Sequence, residues 1–163
     1  MQELSLRPSD RFTEKYQSYG TMLFRIAMVH LGNKADAEEA VQETFVKLLS
    51  KAPVFHEPEH EKAWLIRVIT NTCKNMRRSM WHKRVIHKEP IEVYGETQED
   101  RDIIEQVLSL PVKYKTVIHL FYYEDYSVRQ IADTLQISDS AVKMRLQRGR
   151  QLLKLEMEGL NHE

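Results

Sequence analysis

Four stretches of the chain carry residue types that could do chemistry. His56-Glu57-Pro58-Glu59-His60 has the spacing of the zinc-protease pattern H-E-x-x-H. That pattern works only where a helix puts both imidazoles on one face, four residues apart. Pro58 stands at its centre, where a proline in a helix interior costs about 3 kcal/mol. Pro53 lies just upstream and no third ligand is signalled, so 53–61 reads as a loop rather than a metal site. Cys73 is the single cysteine; without a partner for a disulfide or a resolving reaction, it reads as a small buried hydrophobe. There is no Gly-rich phosphate loop and no Ser/His/Asp arrangement. No enzyme activity, metal or cofactor is expected.

The other two stretches suit a polyanion. Residues 62–88 contain eight Lys or Arg and no acid, and residues 140–155 contain five and no acid. Between them, residues 89–105 carry seven acids and one Arg. The whole chain, with 24 basic and 24 acidic residues, is neutral, but segregation on this scale creates local fields that the sum conceals.

In the more C-terminal basic stretch Val142, Leu146, Gly149 and Leu153 fall on one helical arc and face the core. Lys143, Gln147, Arg150 and Lys154 form a second stripe about a quarter-turn away, placed to enter a major groove. Gln pairs with adenine edges and Lys with guanine edges, while Arg145 and Arg148 are placed for phosphates. Ser140 and Met144 belong to the same DNA-contacting set. In the earlier stretch Arg67, Asn71, Lys74, Asn75 and Arg78 repeat beside a core stripe, near Phe55 and Trp81. Amides and cations interleaved with aromatics fit a strand whose bases are unstacked, each stacked base contributing about 1–3 kcal/mol. Trp64 reads as core.

Helices must position these residues. The chain has 163 residues, 42% hydrophobic and 29% charged, with five Gly and five Pro, and its apolar residues recur at helical spacing. An all-α protein is expected, in two small helical domains: an N-terminal helical bundle over 1–82 and a C-terminal helix-turn-helix domain over 100–163, joined by a flexible linker over 83–99. The first helix should start at a Ser9 cap, bury Phe12, Tyr16, Tyr19, Leu23, Ile26 and His30, and stop at Gly32. Asn33 and Asp36 form a variant capping box for a second helix with Ala37, Val41, Phe45 and Leu48 inward. A third helix is expected over roughly 61–81, on Leu65, Ile69, Thr72 and Met76. Pro111 stops a short fourth helix and 112–124 form a fifth. Ser127 with Gln130 boxes the next, and Ser138 caps a last helix to about Met157; two short helices about a tight turn at 136–138 are the layout of a helix-turn-helix. No apolar run reaches the ~18 residues of a membrane span, and the N-terminus has no apolar signal-peptide core.

NKADAEEAVQETFVKLL, AWLIRVITNTCKNMRR and LPVKYKTVIHLFYYEDYSVRQIADTLQISDSAVKMRLQRGRQLL together resemble an extracytoplasmic function sigma factor of bacterial RNA polymerase, over about residues 10–157. The resemblance implies a promoter-specificity subunit for a stress or envelope-response regulon. It implies that 1–82 recognises and melts the −10 element, and that 100–163 reads the −35 element. It places Asp36, Glu39, Gln42 and Glu43 on the surface that docks on the clamp helices of the largest polymerase subunit, and adds the flap of the second-largest subunit as a partner. The loop 53–61 matches the one that captures a base flipped from the non-template strand, and 83–99 the segment threading toward the RNA exit path. An anti-sigma factor is implied as inhibitor, with a cytoplasmic location, held at the membrane only through that partner and without direct insertion. Three residues depart from the family pattern: Asn75 for a frequent Asp, Gln136 for a frequent Gly and Gly149 for a common Ala. The competing readings are a stand-alone helix-turn-helix regulator binding duplex operators as a dimer and, far behind, a hydrolase using His56 and His60.

Overall fold

The computed structural model describes residues 8–83 and 97–160. Among these residues there are seven helices and no strand. The helices α1 (Pro8–Leu31), α2 (Lys34–Lys51) and α3 (Pro58–Lys83) pack on one another as one unit. A second unit comprises α4 (Gln98–Leu108), α5 (Val112–Tyr122), α6 (Val128–Leu135) and α7 (Asp139–Leu160), with α5 and α6 laid against α7. Most of the linker expected over 83–99 lies outside the described residues.

Local chemistry sets most boundaries. Gly32, at φ 76°, ends α1, a left-handed conformation that costs glycine nothing. Asn33 caps α2 as its spacing to Asp36 predicts: its Oδ1 accepts the Asp36 N–H at 2.9 Å while its Nδ2 donates to Asp36 Oδ2 at 2.7 Å. Two starts differ from expectation, both because proline is favoured at the first helical position, where its fixed φ fits and its missing N–H has no partner to lose. Pro8 opens α1, so Ser9 lies inside the first turn instead of capping it. Pro58 opens α3 three residues earlier than expected, with Glu59 and Glu61 in the first turn, where acids complement the helix dipole. His56 therefore precedes the helix that contains His60, and the two do not share a helical face.

The buried residues form one cluster drawn from both units. Leu23, Ile26, Ala37, Val41, Phe45, Leu65 and Ile69 are buried as their spacing predicts, and Cys73 is buried among them with its thiol pushed up to about 12 by burial. Phe12 and Tyr16, expected on the buried face of α1, are 38% and 52% exposed. Both rings pack against Phe45, at ring separations of 5.7 and 5.4 Å. The units are joined where α5 lies on α1 and α6 on α3.

His30 is buried near this junction. Burial, and then the charges of Arg77, Lys115, Lys74 and His119, hold its pKa well below the usual 6.5. A depressed histidine pKa means the unfolded chain binds the proton and the folded chain does not. Its contribution is therefore whole above the unfolded pKa and is lost as pH falls below it, by up to about 1.4 kcal/mol per pH unit. Thermal melts from about pH 7.5 to about pH 5.5 should show falling stability that His30→Leu makes shallower; an unchanged slope in that variant would exclude His30 as the cause.

Candidate nucleic-acid interface

The helix-turn-helix is built from caps the sequence announces. Ser127 Oγ accepts the Gln130 N–H at 3.1 Å and Gln130 Oε1 accepts the Ser127 N–H at 2.8 Å, closing the capping box of α6. α6 ends on Gln136 in the left-handed region, φ 58° and ψ 46°; its side chain donates to the Asp133 carbonyl at 2.8 Å. The Ile137 N–H returns to the Ala132 carbonyl at 3.1 Å. Ser138 Oγ then accepts the Ala141 N–H at 3.1 Å and starts α7.

Along α7, Val142, Leu146 and Gly149 are buried and Leu153 half-buried. Gly149 packs closely on α5: a Cβ there would lie 3.0 Å from Ile118 Cγ1 and 3.2 Å from its Cδ1, so the Ile118 side chain would have to give way. Ser140, Lys143, Met144, Gln147, Arg148 and Arg150 are exposed, and Arg145 is half-buried. Arg150 does not stand free. Its Nε donates to the Tyr122 hydroxyl at 2.5 Å, and its guanidinium lies 5.8 and 5.5 Å from the Phe121 and Tyr122 ring centres. Lys143, Met144 and Gln147 are the open candidates for base edges.

On α3, Arg67, Asn71, Asn75 and Arg78 are exposed, a row spaced four, four and three. Lys74 and Arg77 are half-buried. The Lys74 pKa is lowered by burial and then by the charges of Arg77, of Arg145 on α7 and of Arg78. Phe55 sits edge-on to Trp64 with ring centres 5.8 Å apart; the Trp81 side chain lies outside the described residues. Phe55 also lines a cavity of about 330 Å³ between α1 and the 55–58 turn, with Glu14, Lys15, Tyr19, His56 and Glu61. Lys15 Nζ donates to Glu61 Oε1 at 2.6 Å. Burial and then the Glu61 carboxylate push the Tyr19 hydroxyl up to about 12. Sequence reasoning placed Tyr19 on the inner face of α1 but missed Lys15 and Glu61, because residues 46 positions apart carry no local signal of pairing.

The outer face of α2 is separate from both. Glu39, Gln42 and Glu43 are exposed, whereas Asp36 is half-buried and engaged by Asn33. Val46 and Leu49 extend that exposed face at 62% and 54%. A helical wheel of α2 places them there, so their apolar character was the signal left unread.

The sigma-70 region 2 family model matches residues 16–83, and the sigma-70 region 4 model matches residues 100–153. The RNA polymerase sigma factor SigV of Bacillus subtilis is 31% identical over 138 residues, covering 82% of this chain and 83% of that protein. The ECF RNA polymerase sigma factor SigL of Mycobacterium tuberculosis is 30% identical, over 89% of this chain and 88% of its own length. Among solved structures, the sigma factor RpoE in complex with the anti-sigma factor NepR from Bartonella quintana matches the fold with a TM-score of 0.73 at 20% identity, covering 91% of this chain and 97% of that one.

The left-handed Gln136 carries strain on the order of 1 kcal/mol, part of which glycine would relieve. Gln136→Gly should raise the urea midpoint without changing the slope, a gain of up to about 1 kcal/mol. A lower midpoint would mean the Gln136–Asp133 hydrogen bond outweighs the backbone strain.

Proposed function

The chain belongs to the extracytoplasmic function sigma factors, the promoter-specificity subunits of bacterial RNA polymerase, and from that premise we propose how its surfaces divide the work. The observation that carries the reading is the separation of three exposed helix faces: α7 and α3 present cations and amides, while α2 presents acids and apolar side chains. Residues 1–82 form the −10 half and 100–163 the −35 half, joined through 83–99. The α7 face reads the −35 duplex, with Lys143 and Gln147 on base edges and Arg145 and Arg148 on phosphates. Ser140 and Met144 border that contact, and Arg150 contributes as a charge fixed by α5.

Arg67, Asn71, Lys74, Asn75 and Arg78 of α3 hold the opened −10 strand. Phe55 borders the cavity proposed for its flipped base. The carboxylates of Glu14, Glu57 and Glu61 in that cavity's wall favour a base edge that presents hydrogen-bond donors. On α2, Glu39, Gln42 and Glu43 meet the polymerase clamp helices, and Val46 with Leu49 supplies the apolar part of the contact; Asp36 borders it. The polymerase flap is the further contact proposed for the −35 half.

The protein catalyses no reaction of its own and works in the cytoplasm as part of the holoenzyme. No described helix is long and apolar enough to cross a membrane. The solved relatives RpoE and CnrH are bound to the anti-sigma factor NepR and to the cytosolic domain of CnrY; an inhibitory protein of that kind is the partner proposed here outside transcription.

Transcription by core polymerase over a promoter library tests the reading and returns both elements. Lys143→Ala and Gln147→Ala should each relax choice within the −35 element by about 1–3 kcal/mol of discrimination. Uniform weakening on all sequences would make them phosphate anchors. Glu39→Lys with Glu43→Lys, and separately Val46→Asp, should weaken core binding by roughly 2 kcal/mol while leaving helicity unchanged. Undiminished assembly with core would remove α2 from the docking surface.

A further inference from the structure

α7 approaches α5 at Gly149, where a Cβ would stand 3.0 Å from Ile118 Cγ1. Tyr122 lies four residues after Ile118, one turn further along the same face of α5, and Arg150 follows Gly149 directly. The missing Cβ lets the two helices come near enough for these side chains to meet. Arg150 Nε donates to the Tyr122 hydroxyl at 2.5 Å, and its guanidinium carbon is 5.8 Å from the Phe121 ring centre. The Phe121 and Tyr122 rings meet edge to face, 5.0 Å apart and at 77°.

A hydrogen bond between two exposed side chains adds little to folding stability, because water partners both groups in the unfolded chain. Tyr122 is 51% exposed, and Arg150 is exposed as well. Holding a long Arg side chain in one rotamer also costs up to about 2 kcal/mol of entropy. What the contact does is fix where the charge stands. A hydroxyl partner, unlike a carboxylate, brings no negative charge, and among the described residues no acid forms an ion pair with Arg150. Beyond the engaged Nε–H, a guanidinium carries four N–H groups on Nη1 and Nη2, a planar fork that matches two oxygens of one phosphate. Arg150 lies seven residues beyond Lys143, roughly 10 Å along the helix. The first turns of a recognition helix meet base edges, and its later turns pass the sugar–phosphate backbone.

We propose that Tyr122 is a positioning residue for promoter binding: its hydroxyl holds Arg150, with its charge uncancelled, as an anchor for one backbone phosphate of the −35 duplex. The proposal rests on the assignment of the α7 face to that duplex and adds the α5 residue that sets the geometry of its contact. A preset anchor loses its side-chain freedom during folding rather than on binding, which raises affinity without a new contact.

Holoenzyme assembled with core polymerase is titrated onto a labelled duplex carrying the promoter that the transcription library returns, over a range of KCl concentrations. The temperature is kept low enough for the duplex to stay closed. Arg150→Ala should weaken binding about tenfold and lower the slope of log K against log salt by about 1. Tyr122→Phe keeps the ring and removes the hydroxyl. It should weaken binding about threefold with the slope retained, because the cation is still present. In an Arg150→Ala background Tyr122→Phe should have no further effect, whereas a general packing role would give additive losses. Single neutral methylphosphonates placed along the −35 strands should include one position at which Arg150→Ala no longer weakens binding. Unchanged helicity by circular dichroism identifies folded variants. Additive losses, or the absence of any such methylphosphonate position, would overturn the proposal. Lys143→Ala and Gln147→Ala test the α7 face by themselves. If they leave −35 binding and choice unchanged, the face assignment fails and this proposal with it; if they relax that choice while Tyr122→Phe has no effect, only the positioning role fails.

Discussion

The stretch Ile26–His30 near the end of α1 is buried on every side, and other helices pack to cover it. Ile26, Ala27, Met28, Val29 and His30 follow one another in sequence, and none is more than 5% exposed. A helix with no face toward water needs partners all round. α2 and α3 pack against α1, and so does α5 from the other half of the chain. Burying one large apolar side chain contributes about 1.5–3 kcal/mol, enough for a few such residues to draw the units together. The apolar cluster accordingly runs from Met22 to Leu146 without respecting the boundary between units.

That apolar requirement competes with an electrostatic one. A subunit that touches both DNA and protein must keep its cations and its acids on different surfaces, and here they are kept apart. Glu39 and Glu43 face outward on α2, while α3 and α7 carry the basic rows. Concentrating cations near the proposed DNA-contacting faces leaves few acids among the described residues to neutralise them where the units meet. Burial and neighbouring cations hold the His30 pKa low, Lys74 and Lys115 hold their protons less tightly, and among the described residues Arg77 Nε has no hydrogen-bond partner. Glu124 supplies an acid at one place, where it meets Arg25 and His119 together.

What was legible in the sequence was local. The Asn33 cap, the Ser127–Gln130 box, the Ser138 cap and the stop at Gly32 are interactions within a few residues, and type and spacing specify them. The stripe Val142–Leu146–Gly149 is legible for the same reason, since 3.6 residues per turn decides which positions share a face. What was missed depends on a second element. Gly149 looks like lost helix propensity until Ile118 is found 3.0 Å from where its Cβ would stand. Arg150 looks like a groove-facing cation until Tyr122 is found beside it, and Glu61 looks like a solvated first-turn acid until Lys15 reaches it.

The sequence by itself determined an all-helical chain, the helix-turn-helix, the segregation of charge and the sigma-factor family, because periodicity, caps and motif order are properties of neighbouring residues. Only the tertiary structure decided how the units meet. Arg25 and Glu124 are 99 positions apart, and no local pattern records a pairing at that range. It also decided which basic residues are open and which are turned inward. A helical wheel says which residues share a face, but the neighbours packed against that face determine which reach solvent.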